Sequence, residues 1–500
     1  MTSPLPADCL REIFEIFQDD MFTLHSCILV NRLWCEVAAP LFWRKTVNLR
    51  LAGDQTIGSL FRTWISCLPE GSKRTLSDHG IIITSPTTHP PLFDYPGFCR
   101  SLSYGDVLTI INTAIGQRQI GGSRNLYNKH LIKQELFKVF VSHCPTIDFL
   151  DISESTQFDL PLPYFPGAEI CFSKLRKLHC NSSTPPWMFY RMAQICRNLE
   201  TLVCMHTPID NDGLATLIEV QCNLQRLEFH TRTEICGQKP CPSIERALRS
   251  CTDSLVHLSL RGDYMNIPAA AISEFDNLKI LDLHFSGNIN KEILENLEFN
   301  AFPQLEVLRM GGNLAPLEMI QRLIRRTGGN LKVVSLYGWD IPKEEIVRKF
   351  NNDIIPKFCP KLQCLTTWCT EKNFKDIESI LCACPHLEAL SLRSLPIDGY
   401  GIWSQVDGDP LFQLLANKAP ENFSKLRIGG EWSFGPQALA TFLSIRKIKE
   451  KSFTLCVCDC YDEADALIEV TPKHDEVINN YRECGILKYK YEFEFIGEFD

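Results

Sequence analysis

The chain has 500 residues, 45% of them apolar and 22% charged, and carries a formal net charge of −9. That length exceeds one ordinary core and suits either several domains or one elongated repeat array. The acidic balance supplies no overall positive field for nucleic acid or anionic lipid, and no stretch approaches the ~20 apolar residues of a membrane span.

The opening segment, LPADCLREIFEIFQDDMFTLHSCILVNRLWCEVAAPLFWR, covers residues 5 to 44. Pro6 suits a helix first turn, and Leu10, Ile13, Phe14 and Phe17 follow at i, i+3, i+4 and i+7, which predicts one apolar helix face. Cys9 and Ile16 fall on another face, so this helix is apolar over more of its surface than one small core can use. Leu24, Cys27 and Ile28 predict a second helix starting at Thr23; Trp34, Val37, Ala38 and Leu41 stripe a third, which Pro40 is expected to close. Three short helices of about 40 residues are too small to hold a core alone, so the surplus apolar surface must meet something. One answer is that the segment caps a repeat array; the other is a partner protein.

Residues 47 to 140 are less regular. Ile81 to Ile83 read as a strand, and a weak first repeat ends at Leu102 and Tyr104. The basic, Gly-rich stretch GQRQIGGSRNLYNKH, 116 to 130, reads as a solvated loop, with partner binding as the alternative.

From 141 onward the chain repeats. Leu-rich runs start at Ile147, Leu175, Leu199, Leu224, Leu255, Leu278, Leu305, Leu331, Leu362, Leu387 and Leu426, mostly continuing as L-x-x-L-x-L. Spacings are mainly in the twenties, the period of leucine-rich repeats. Three residues before each start stand Cys144, Phe172, Cys196, Gln221, Thr252, Phe275, Phe302, Gly328, Cys359, Cys384 and Phe423. A metal ligand or nucleophile cannot alternate with phenylalanine, whereas a buried apolar socket can. The cysteines of this slot are therefore repeat punctuation, and Pro145, Pro303, Pro360 and Pro385 end the preceding helices in the same phase. Amphipathic stretches such as NDGLATLIEVQ from Asn211 predict a helix after each strand, giving parallel inner strands and outer helices. The tail from Gly485 alternates Leu487, Tyr489, Tyr491, Phe493 and Phe495 with charged residues, the pattern of a capping strand.

Marks of chemistry are sparse. Phosphate loops, zincin motifs and nucleophile elbows are absent. Cys456, Cys458 and Cys460, with His474 or Cys484, make the one candidate metal set, but alternate residues of a strand share a face, so three small inward side chains explain them equally. His230, His257 and His284 fall at wall positions of repeat strands, without forming a catalytic cluster. The start MTSPLPADCLREIF lacks a basic-then-apolar leader, so a cytoplasmic and/or nuclear protein is expected, its 23 cysteines free thiols.

The opening segment resembles an F-box in Leu5-Pro6, in Ile13 and Phe17 on the first helix, in Leu24 on the second, and in Val30-Asn31-Arg32-x-Trp34 and Leu41-x-Trp43-Arg44. Succeeded by leucine-rich repeats, it resembles the F-box/LRR proteins. The expected fold is therefore α/β: a three-helix F-box at 1–46, a connecting region at 47–140, an irregular leucine-rich-repeat solenoid at 141–450, and a last repeat with its cap at 451–500. The resemblance implies a non-catalytic substrate-recognition adaptor of an SCF ubiquitin ligase, bound to a Skp-type linker and through it to a cullin, with no cofactor or metal. Leu5, Pro6, Leu10, Ile13, Phe17, Leu24, Val30 and Trp34 are the implied linker contacts. Strand phase nominates Glu228, Asp282, Arg309, Tyr337, Trp368 and Arg393 as a concave wall for an unidentified target protein. A repeat-based interaction scaffold without a cullin is the alternative, as is a metalloprotein built on the 456–460 cysteines.

Overall fold

The computed structural model describes residues 5–45, 54–83, 91–116, 120–121, 125–154, 160–205, 210–230, 241–262, 272, 274–285, 301–312, 316–338, 342–370, 373–395, 406–448, 451–458 and 471–492. The chain forms two compact units, residues 1–227 with 241–251, and residues 228–240 with 252–500.

The first unit begins with three helices, α1 (Ala7–Ile16), α2 (Met21–Ile28) and α3 (Arg32–Phe42). α2 starts where the Asp20 carboxylate accepts the Thr23 N–H at 3.0 Å, and α3 where the Asn31 side chain accepts the Trp34 N–H at 2.9 Å. Each side chain satisfies an otherwise orphaned donor. Pro40 does not close α3, which runs on to Phe42. The proline removes one interior hydrogen bond, but the Ala39 carbonyl still accepts the Trp43 N–H and carries the last turn.

After these helices the unit alternates helices with short parallel strands, Ser101–Ser103, Phe149–Asp151, Lys177–Asn181 and Thr201–Met205. Leu102, Leu150, Leu178 and Leu202 stand side by side in this register, all buried. The strand at 101–103 is thus the irregular first repeat. Residues 125–130 of the expected basic loop are instead the first turns of the helix Asn125–His143, while Ile120–Gly121 pairs antiparallel with Ile82–Ile83. Leu131, Ile132, Leu136 and Phe137 bury into the core and draw that segment into helix.

In the main sheet of the second unit the described residues form parallel strands in sequence order: His257–Arg261, Ile280–Phe285, Val307–Gly312, Val333–Gly338, Cys364–Cys369, Ala389–Ser394, Lys425–Gly429, Phe453–Cys458 and Leu487–Glu492. The tail therefore joins the sheet as its last strand, with Phe493 and Phe495 outside the described residues. One backbone device recurs at several strand starts. The Lys279 carbonyl accepts both Glu306 N–H and Val307 N–H, and the Glu306 carbonyl accepts both Lys332 N–H and Val333 N–H; Gln363 does the same for Glu388 and Ala389. Where it occurs, this forked bond fixes the start of the strand and holds repeats of unequal length in one register.

Register also corrects one repeat start. Leu390 pairs with Leu426, so Leu426 holds the second leucine position and Phe423 holds the first. Phe423 is thus aligned with Leu387 and does not belong to the Cys/Phe slot; the FSKLR strings at 172 and 423 are out of phase. At the remaining slot positions the punctuation has a physical form. The Cys384 thiol donates to the carbonyl of Cys359 at 3.5 Å, and burial pushes that thiol up to about 12. Gln221 occupies the same slot and donates to the Cys196 carbonyl at 2.8 Å, while its own oxygen accepts the Leu199 N–H at 2.9 Å. Phe172, Phe275 and Phe302 fill the slot with rings that are fully buried.

Candidate docking face on the N-terminal helices

The three opening helices share a core of Leu10, Phe14, Leu24, Cys27, Val37, Ala38 and Leu41. Phe14 meets the Trp34 ring edge-on at 5.1 Å between centroids, which fixes α1 against α3. One stripe of α1 is used up in this way, Leu10 and Phe14 at i and i+4. The apolar residues of α1 were expected on one face, and the structure divides them: Ile13 and Phe17 turn outward with Cys9 and Ile16. A ten-residue helix packed into a core on one side only buries one stripe, so the second stripe remains in solvent.

That outward stripe is large. Ile16 is 78% exposed, and Ile13 and Phe17 are exposed beside it; Leu5 precedes the helix, also in solvent. α2 presents a second outward stripe, Phe22 at 83% and Leu29 at 72%, seven residues apart and hence on the same side, with Val30 exposed just beyond. Isolated exposed apolar residues need no explanation, but seven on about 26 residues of chain mark a surface built to be covered. The surrounding charges are of both signs: Lys45 pairs with Asp19 at 2.5 Å, Arg32 with Glu36 at 3.0 Å, and Arg44 lies 3.8 Å from Glu15. Such exposed pairs add little stability and form a polar rim.

The nominated linker contacts separate into three groups. Leu5, Pro6, Ile13, Phe17 and Val30 lie at the surface, and Trp34 is half-buried against the core. Leu10 and Leu24, at 2% and 0% exposure, hold the module together from inside and offer no surface to a partner. Ile16, Phe22 and Leu29 were absent from the nominated set; the apolar surplus of α1 pointed to Ile16, while Phe22 and Leu29 need the packing of α2 to be found.

The module is also tied to the repeats of its unit. The Arg44 carbonyl accepts Arg100 N–H at 2.7 Å and Ser101 N–H at 3.1 Å, the same forked bond that begins the strands at Phe149, Lys177 and Thr201. Trp43 packs on Tyr95 at 4.7 Å between ring centroids. The end of α3 thus provides the first rung of the repeat ladder and orients the outward stripes on a fixed base.

In the second unit the nominated wall residues fall into two rows. Glu228, Asp282 and Arg309 occupy the position between the second and third apolar residues of their strands, and Asp282 is the register partner of Arg309. Tyr337, Trp368 and Arg393 stand two residues later, Trp368 beside Arg393; the Tyr337 side chain lies outside the described residues. Glu228, Asp282, Trp368 and Arg393 are buried, and Arg309 is half-buried, so these positions do not form the open wall that strand phase implies. Part of the reason is internal pairing: Asp282 accepts from Arg261 at 2.5 Å, and Glu228 lies 2.9 Å from His230. Rows of strands about 4.8 Å apart bring charged neighbours into direct contact.

Among the described residues no group of three or more His, Cys, Asp and Glu side chains is arranged to hold a metal. Cys456 is buried, the Cys458 side chain and Cys460 lie outside the described residues, and His474 is held by Thr471 and by the Phe434 carbonyl at 2.7 Å. No described helix is long and apolar enough to cross a membrane.

No family model matches the chain, and no curated protein matches it. Among solved structures, the complex of Rad7 and Elc1 in yeast contains a chain similar to this one at 17% identity and a TM-score of 0.36, over 65% of this chain and 88% of that one. A likeness of that strength carries no argument about partner or activity.

Proposed function

We infer that the protein is a non-catalytic adaptor whose N-terminal helices dock on a Skp-type linker of a cullin-containing ubiquitin ligase, and whose repeats hold a protein target. The observation that carries this reading is the pair of outward apolar stripes, Leu5, Ile13, Ile16 and Phe17 with Phe22, Leu29 and Val30, left over after the module's own core is complete. A module serving only to cap the repeats has no use for them, since the capping contact is made by Arg44 and Trp43. In such an assembly the work is proximity: tethering raises the local concentration of target lysines near a conjugating enzyme, to about millimolar values for short linkages. The burial of Glu228, Asp282, Trp368 and Arg393 directs attention for the target away from those side chains.

Co-purification of the full chain with a Skp-type linker tests the reading, with a Leu5→Ala, Pro6→Ala double variant as the control. Both residues are exposed, so their loss leaves the fold intact while it weakens capture. A second reading, a repeat scaffold whose helices cap the array without meeting a cullin, is favoured by the Arg44 rung. Absence of linker capture by a correctly folded chain selects it.

A further inference from the structure

Cys180 and Cys204 are cross-strand neighbours. Each is the fourth residue of a five-residue parallel strand, Lys177–Asn181 and Thr201–Met205, and the two are register partners. Both are core-facing and buried as free thiols. Paired residues of adjacent strands lie about 4.8 Å apart along the hydrogen-bonding direction, inside the ~4.4–6.8 Å between Cα atoms that a disulfide spans. Among the described residues the other buried strand cysteines lack a cysteine partner in register: Cys364 faces Ala389, Cys369 faces Ser394 and Cys456 faces Arg427. Cys359 and Cys384, consecutive in the repeat slot, meet through a thiol and a carbonyl.

We propose that Cys180 and Cys204 are a reversible dithiol–disulfide site, oxidised by hydrogen peroxide to a covalent link between two successive repeats of the first unit. In the first step a Cys180 or Cys204 thiolate attacks one peroxide oxygen. The O–O bond breaks, the sulfur becomes a sulfenic acid, and the departing hydroxide takes a proton to leave as water. In the second step the remaining thiolate attacks the sulfenic sulfur, the S–S bond forms, the S–O bond breaks, and the hydroxide again leaves as water. Two thiols and one peroxide give one disulfide and two waters, the two electrons passing from the sulfurs to oxygen.

The closed core restrains this reaction. Contact with Cys204 and burial hold the Cys180 thiol well above its ordinary range, so it stays protonated until the strands open. Opening need not be global: it takes local separation of these two strands, including release of the Ser182 N–H bond to the Met205 carbonyl at 3.2 Å that continues the ladder past both cysteines. The link then closes the loop between the two strands and opposes the same separation.

The test treats the folded full chain with hydrogen peroxide, alkylates remaining thiols under denaturing conditions, and maps the digest by mass spectrometry. A peptide pair joined through Cys180 and Cys204, lost on treatment with dithiothreitol, is expected, with Cys359 and Cys384 still alkylated. Amide exchange in both strands slows about tenfold or more in the oxidised protein, as expected when a cross-link opposes local opening. Cys204→Ala abolishes the pair and leaves Cys180 alkylable, and Cys180→Ala gives the mirror result; circular dichroism confirms that each variant is folded. The proposal is overturned if Cys180 and Cys204 both remain alkylable while thiols elsewhere are consumed, or if the link forms without slowing exchange.

Discussion

Ile16 and Leu10 stand six residues apart on α1, one 78% exposed and the other 2%. Replacing each by alanine separates docking from folding. Ile16→Ala removes three carbon groups worth about 0.8 kcal/mol each on burial, roughly 2.4 kcal/mol in all. The part still exposed in the free chain, 78%, is what a partner can cover, so about 1.9 kcal/mol of binding is lost, near 25-fold in affinity. Stability stays within about 0.5 kcal/mol, since the side chain touches little of its own fold and alanine is a better helix former. Leu10→Ala does the reverse: it opens a cavity in the module core and costs about 2–5 kcal/mol of local stability. Titration calorimetry with a purified Skp-type linker reads the first effect, and amide exchange over α1 to α3 reads the second. An Ile16→Ala variant whose affinity stays within about twofold of the parent refutes the reasoning, because the most exposed residue of the α1 stripe would then contribute nothing.

The packing of the two units sets further outcomes. Gln221→Ala leaves the Leu199 N–H without its acceptor and is expected to cost about 1–3 kcal/mol in chemical denaturation of the first unit. Asp282→Ala breaks a buried pair whose Arg261 partner remains partly in solvent, so about 1–3 kcal/mol is lost from the second unit, and Asp282→Asn recovers part of it. The Asp20 carboxyl is held below its ordinary range by the Thr23 hydroxyl and then by the Thr23 N–H. Its contribution is present above the unfolded carboxylate range and is lost as pH falls through the lower folded value, so Asp20→Asn flattens the acid limb of amide protection in α2.

Much of the repeat pattern is legible in the sequence because register and hydrophobicity share one period. The leucines at 150, 178 and 202 stand side by side as L-x-x-L-x-L requires. The slip at Leu426 has a physical origin: the first and second apolar positions of a repeat both face the core, so composition alone does not distinguish them, and only the pairing with Leu390 does. The same degeneracy hides the division of α1. Leu10, Ile13, Phe14 and Phe17 fit one wide stripe on a helical wheel, and which half is buried depends on where α3 places Trp34. Strand phase gives the side of the sheet a residue takes but not whether that side is covered, which is why Trp368 reads as an exposed anchor and is buried. The surplus of apolar surface at the N-terminus was legible as a quantity; its distribution, with Phe22 and Leu29 on α2, was not.

The central claim is that these outward stripes are a docking surface for a Skp-type linker. Titration of the full chain with that linker across a range of temperatures tests it most directly. A saturable one-to-one complex with a negative heat-capacity change is expected, the mark of apolar burial, and it weakens when Ile13, Ile16 and Phe17 are together replaced by serine. No complex with the folded chain, or a complex indifferent to those three replacements, contradicts it.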